Sequence, residues 1–434
     1  MAEQPRAITR AAETARGLDP AAVPGLRTRM RWTLFAISAL GSTGYIAAIT
    51  VGTLVATEIH GDATLGGVPT AAATIGTATA AGFLSGLMLR VGRRNGLLGG
   101  LLVGLLGAVL AVSAVLVESI VLLLLASMLT GFANGVGNLG RYIAADLVAP
   151  ERRASAIGTV VWGATIGAVS GPNLVAPAGV LARSIGLPEL AGAYILTVGF
   201  IGLATLLAFV MLRPEPYALA DPSALASRPD HEVAPLASAL LLRPAVLVAL
   251  VTLVAGQVVM VLIMTMTPIH LTDHGHGLAT VGFVLSAHTF GMFALSPVSG
   301  RLTDRFGSPA IIAAGLGTLG FAAILAAIAP PDGGNLLTLA LFLLGFGWNL
   351  GFVAGSALLT RGLALAERTR VQGLADGMIW SSAAVASLVS GVVVAGTSYT
   401  ALGFLGLALV VPPAVLLFLR RSAIAPASPV ALPR

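Results

Sequence analysis

The chain has no cysteine and no lysine. The first absence rules out disulfides and thiolate metal ligands. The second means that all 24 basic residues are arginine. Charge of either sign is scarce, at 10% of 434 residues, where a soluble domain carries about a quarter. Apolar residues make up 56% of the chain, and mean hydropathy is +0.94. Water-soluble folds are thereby excluded, and the net charge of +6 reports membrane topology, not nucleic-acid binding. Asp and Glu are missing from the deep parts of the apolar runs. Only Asp376 comes close, near an inner end, which disfavours a carrier driven by a buried carboxylate. No nucleophile–base constellation or cofactor loop is present, so an enzyme is not expected. The first 31 residues are polar and Arg-rich, with no apolar core and no cleavage site, so no signal peptide is expected.

What is present is a series of apolar runs of bilayer-spanning length. Twelve spans are predicted at 32–56, 65–89, 96–117, 119–144, 154–182, 190–212, 244–270, 278–300, 309–329, 335–360, 371–396 and 400–419. This is an all-α membrane protein. Every arginine except Arg183 then falls on one side, the side of both termini. By the positive-inside rule that side is cytoplasmic. Residues 1–31 and 420–434 read as cytoplasmic tails. A Pro-, Ala- and Ser-rich stretch, 213–243, reads as a flexible linker between six-span halves at 32–212 and 244–419. The halves repeat weakly: SGLMLRVGRR (85–94) matches SGRLTDRFGS (299–308), and PERRASAIG (150–158) matches AERTRVQG (366–373). Such repeats predict a transporter built about a pseudo-two-fold axis.

The stretch Gly300-Arg-Leu-Thr-Asp304-Arg305-Phe-Gly307 resembles the loop motif of the major facilitator superfamily. Gly167-Ala-Val-Ser-Gly171-Pro172-Asn173 on span 5 resembles that superfamily's Gly-Pro helix motif. The likeness covers essentially the whole chain and implies the major facilitator fold, alternating access and a monomer. Asp304 and Arg305 are then expected to gate, and Gly167, Gly171 and Pro172 to set helix packing. In the first-half copy Leu89 stands where the motif has an aspartate, so a gating carboxylate is lost there. Arg141, Asp146, Arg152, Arg153, Arg361 and Asp376 lie near the same surface as candidates for that network, though arginines there also serve topology alone.

Span 7 carries Met260 and Met264 one turn apart, and span 8 carries His288 and Met292 at the same spacing. Soft thioether and imidazole ligands at i, i+4 suit Cu(I). Methionines at that spacing are usually packing, whereas a mid-membrane histidine is costly and usually functional. With a rise of about 1.5 Å per residue, Met260 and His288 share a level roughly 15 Å below the outer ends of their spans. If both pairs face one passage, Met264 stands a turn above and Met292 a turn below. Met266 points off this face, while Gln257 lies one turn before Met260 and suits either a cavity or a helix contact. The outer residues His270, His274 and His276, with His60, Glu58 and Asp62, could collect metal at the mouth. Solvated loop side chains are the commoner reading, since no strict ligand spacing is visible.

These paired motifs are similar to those of the CcoA-like bacterial copper importers. Gly345-Phe-Gly-Trp348-Asn349 resembles that group as well. The resemblance implies an inner-membrane importer supplying copper for cytochrome oxidase assembly, with copper as transported substrate and no resident cofactor. Two alternatives stand beside it. One is a proton-coupled exporter of drugs or metabolites, in which His288 could titrate. The other is an importer of an organic nutrient such as a flavin, as among relatives of the copper carriers.

Overall fold

Inside a bilayer each backbone N–H and C=O needs a partner within the protein, and apolar runs meet that need as helices. The computed structural model describes residues 6–60, 67–220, 237–330 and 334–424. Its helices are α1 (Arg6–Arg16), α2 (Val23–His60), α3 (Val68–Val91), α4 (Arg93–Leu116), α5 (Ile120–Asp146), α6 (Arg153–Ser184), α7 (Ala191–Met211), α8 (Ala237–Leu241), α9 (Pro244–Asp273), α10 (Leu278–Phe293), α11 (Ser296–Phe306), α12 (Ser308–Ile328), α13 (Gly334–Leu359), α14 (Leu365–Gly396), α15 (Tyr399–Leu419) and α16 (Arg421–Ile424). They supply twelve spans long and apolar enough to cross a membrane, in the order the apolar runs predict. No strand occurs among the described residues.

Three local features depart from the sequence reading. Span 8 is two helices, α10 and α11, separated at Ala294 and Leu295. Pro297 in the first turn of α11 has no N–H to continue the ladder. The tail 1–31 carries helix α1, which buries Ala7, Ile8 and Ala11 on Tyr217, Ala218, Ala220 and Leu365. The stretch 213–243 is not flexible throughout. Residues Pro216–Leu219 form a buried 3-10 turn, and Arg27 donates to the carbonyls of Leu219 and Ala220 at 2.9 and 3.0 Å. Residues 221–236 of that stretch, 425–434 of the C-terminal tail and Asp62 lie outside the described residues.

The chain forms two compact units, Met1–Pro235 with Gly362–Val385, and Leu236–Arg361 with Ala386–Arg434. These units differ from the halves read at 32–212 and 244–419: the first two-thirds of α14 groups with the first unit. The reason is packing and charge. Gly373 faces Ser85 and Ala81 so closely that a Cβ would come within 2.0 Å of the Ser85 hydroxyl. Arg368 and Asp376 are buried in ion pairs with α5.

Within the first unit α2 packs on α5, α6 and α7, and α3 and α4 pack on α5. Gly167 and Gly171 let α6 approach α2: a Cβ would meet Ser42 at 2.4 Å and Ile46 at 2.9 Å. Pro172 stands inside the same helix. Within the second unit α9, α10 and α12 all pack on α13.

Candidate functional site

Helix α13 is the common neighbour of the two helices that carry the Met and His pairs. Its residues Leu341, Gly345 and Asn349, at i, i+4 and i+8, form one stripe toward α10 and α11. His288 Nδ1 lies 2.8 Å from the Leu341 carbonyl oxygen. A carbonyl only accepts, so Nδ1 carries the proton and Nε2 holds the lone pair. His288 is buried, and its Nε2 has no hydrogen-bond partner among the described residues. Gly345 sits against this turn: a Cβ there would come within 2.3 Å of the His288 carbonyl and 3.1 Å of Met292 Cγ. Asn349 holds the break in span 8. Its Nδ2 donates to the Met292 carbonyl and to Ser296 Oγ, both at 2.6 Å, and its Oδ1 accepts from Ser299.

Helix α9 meets α13 on the neighbouring stripe. Trp348 Nε1 donates to Gln257 Oε1 at 2.9 Å, so Gln257 makes a helix–helix contact. Met264 lies seven residues beyond Gln257 and Met260 three, which places all three on one face of α9. Met260 is buried, and Met264 and Met292 are half-buried. His288 and Met292 thus lie against α13, and Met260 and Met264 share the face of α9 whose Gln257 contacts it. Trp348 also stacks on Phe352 with ring centres 4.4 Å apart and meets Phe293 edge-on at 5.9 Å.

The outer histidines serve a different arrangement. His270 stacks on Tyr399 at 4.2 Å and touches the His274 ring at 4.4 Å. His274 Nδ1 donates to the His270 carbonyl at 2.7 Å. His276 lies beside Gly334 at the start of α13. Among the described residues no three His, Cys, Asp or Glu side chains converge as a metal site. A three-histidine collecting site is therefore absent among them.

The anticipated gate residues sit at the end of α11. Arg305 is exposed, its guanidinium 5.3 Å over the Phe306 ring, and Asp304 is half-buried. A buried charge network lies in the first unit. Arg93 pairs with Asp146, and Arg368 reaches the same carboxylate at 3.2 Å. Arg141 pairs with Asp376 at 2.6 Å, with the Tyr142 hydroxyl donating to the same oxygen at 3.1 Å. Asp376, expected near the surface, is fully buried, so a carboxylate does stand inside the bundle, contrary to the sequence expectation. Arg93, Arg368 and Tyr142 escaped the sequence reading. Their signal is the double arginine after Gly92 and the spacing of Arg368, Gln372 and Asp376 on one helix face.

The sequence profile of the Major Facilitator Superfamily matches residues 32–387 and, overlapping, 248–433. The chain belongs to the Major Facilitator Superfamily. This superfamily transporter is 39% identical over 386 residues to the uncharacterised MFS-type transporter YddS of Bacillus subtilis, covering 88% of each chain. It is 29% identical over 383 residues to the riboflavin transporter RfnT of Brucella anthropi, covering 87% of this chain and 93% of that one. Its fold matches the crystal structure of the human organic anion transporter MFSD10 with a TM-score of 0.70 at 18% identity, over 90% of this chain and 99% of that one. It is thus a multi-pass membrane transporter of the superfamily.

Proposed function

We propose that this transporter imports copper as Cu(I) across a bacterial inner membrane by alternating access, with both termini cytoplasmic. Met260, Met264, His288 and Met292 are its successive ligands. The observation that carries the reading is His288: the Leu341 carbonyl holds its Nδ1–H, and its bare Nε2 is left buried, on a residue one turn before Met292. A backbone carbonyl behind a ligating imidazole is the usual way a protein fixes the tautomer that binds metal. Thioethers are neutral and cheap to bury, and with no thiolate in the chain nothing traps the ion. An inside-negative potential favours uptake by about 2.3 kcal/mol per charge per 100 mV, so no co-ion is required. Asp304 and Arg305 remain gate contacts in this reading. The test is radioactive copper uptake into vesicles, comparing wild type with Met260→Ala and His288→Ala. Loss in both supports the reading; wild-type rates in both end it.

A second reading, uptake of an organic nutrient of flavin type, is favoured by the 29% identity to the riboflavin transporter RfnT. The stacked Trp348 and Phe352 rings beside Gln257 would suit a planar ligand. Uptake of labelled riboflavin that copper does not inhibit, lost in Trp348→Ala but kept in His288→Ala, would favour it over copper.

A further inference from the structure

The inner end of α7 presents an unusual combination of groups. Phe209 is exposed, and two guanidinium groups lie over its ring, Arg94 at 5.4 Å and Arg213 at 5.3 Å. Two cations sharing one aromatic ring repel each other, and a cation–π contact offsets only part of that. Arg94 Nη2 also donates to the Phe209 carbonyl at 2.8 Å, which fixes its position. A third guanidinium, of Arg29, donates to the Arg213 carbonyl. Among the described residues none of these three arginines forms a salt bridge. The nearby carboxylate, Glu215, is committed elsewhere: it caps the start of α4 by accepting the backbone N–H of Arg93 at 2.6 Å and of Arg94 at 3.3 Å. Burial pushes the Glu215 carboxyl above its usual range, and those N–H groups pull it part of the way back.

The surface running from this cluster is apolar. Leu206, Phe209 and Val210, at i, i+3 and i+4 on α7, are all at least half exposed in a helix that spans the membrane. Helix α4, which starts at Arg93, packs alongside α7. The basic cluster therefore stands at the membrane–water boundary, on the Arg-rich side, over a strip suited to hydrocarbon chains.

We propose that Arg94 and Arg213, with Arg29 behind them, bind the phosphodiester of an anionic glycerophospholipid whose acyl chains lie along Leu206, Phe209 and Val210. Charge complementarity selects the headgroup, and the apolar strip selects a lipid over a free anion. Planar guanidinium groups suit phosphate oxygens better than ammonium groups do. This proposal does not depend on what the transporter carries.

The test is native mass spectrometry of the full chain in detergent, titrated with phosphatidylglycerol and, separately, with phosphatidylethanolamine. Tight retention of phosphatidylglycerol over phosphatidylethanolamine is expected. Each arginine near an anionic surface is worth roughly a fivefold change in affinity. R213Q, whose guanidinium makes no fold contact beyond the Phe209 ring, should then weaken retention about fivefold, and R94Q/R213Q about thirtyfold. R94K/R213K should fall between wild type and the Gln variant. Equal retention of the two lipids, or phosphatidylglycerol retention unchanged in R213Q and in R94Q/R213Q, would overturn the proposal. Displacement of the lipid by millimolar inorganic phosphate would overturn it too, since the site would then read a free anion.

Discussion

The two units bury polarity in opposite ways. In the first unit it is charge: Arg93, Arg141, Asp146, Arg153, Glu367, Arg368 and Asp376 are all buried there. In the second unit the buried polar side chains among the described residues are neutral, chiefly Gln257, His288, Ser296, Ser299 and Asn349. Yet corresponding helices in the two units meet by the same device. In the first, Gly76 and Gly131 let α3 and α5 touch backbone to backbone, with a Cβ coming within 1.9 Å of the Met128 carbonyl and 2.2 Å of the Ala73 carbonyl. In the second, Gly291 and Gly345 do so for α10 and α13, at 2.4 and 2.3 Å from the Phe342 and His288 carbonyls. The polar groups at the first interface satisfy one another: Thr77 Oγ1 donates to the Gly131 carbonyl and accepts from Asn134 Nδ2. At the second, one nitrogen is left over, His288 Nε2. A repeated packing scheme is thus differently loaded. A buried ion pair that loses one partner leaves an uncompensated charge, so the first unit's arrangement depends on keeping its pairs together. On the proposed copper reading, a neutral lining with a spare lone pair suits passing a soft cation without trapping it.

The contrast between the units depends most on the buried charges. Removing one partner, by Arg141→Ala or Asp376→Ala, should cost about 3–5 kcal/mol, read as a large fall in the apparent unfolding midpoint in detergent. A midpoint near wild type would mean that the pair holds nothing. Next come the glycines. Gly76→Ala and Gly345→Ala should each destabilise by about 1–3 kcal/mol, but on the proposed copper reading only Gly345→Ala should lower copper uptake per folded molecule, because it displaces the His288 and Met292 turn. Equal uptake per folded molecule in the two variants would erase the difference between the interfaces. On the proposed copper reading, His288→Ala should slow copper uptake at least tenfold, about 1.4 kcal/mol, with little change in midpoint, whereas Thr77→Ala should leave uptake within about twofold. The smallest effect is expected from Trp348→Phe, which removes one interhelical hydrogen bond worth about 0.6 kcal/mol. A drop of several kcal/mol there would place the main tie of the second unit at Gln257 and Trp348.

Several of these features were legible in the sequence. Apolar length and arginine placement carried the twelve spans, because a bilayer tolerates few alternatives to a helix. The Met and His pairs stand out in the sequence because a histidine deep in an apolar run has few bland explanations. Other features were hidden by locality. The carbonyl that fixes the His288 tautomer belongs to Leu341, whose side chain gives no hint of it. Asp376 looked superficial because its helix starts earlier than its apolar run does, at Leu365. Tyr217 sits in a stretch whose Pro, Ala and Ser content suggests a loose linker. It is buried because its hydroxyl bonds Thr369 at 2.9 Å and its ring lies under Arg93 at 5.0 Å.

By itself the sequence determined that this chain crosses a membrane twelve times, that it cannot use thiolate chemistry, and that thioethers and an imidazole stand at matched spacing on neighbouring spans. These follow from composition and periodicity, which act within a segment. Only packing sets which histidine nitrogen is left bare, where span 8 breaks and which carboxylates are buried. Those depend on atoms far apart in the chain, and hydrogen bonds and ion pairs are settled only when packing brings such atoms within about 3 Å of one another.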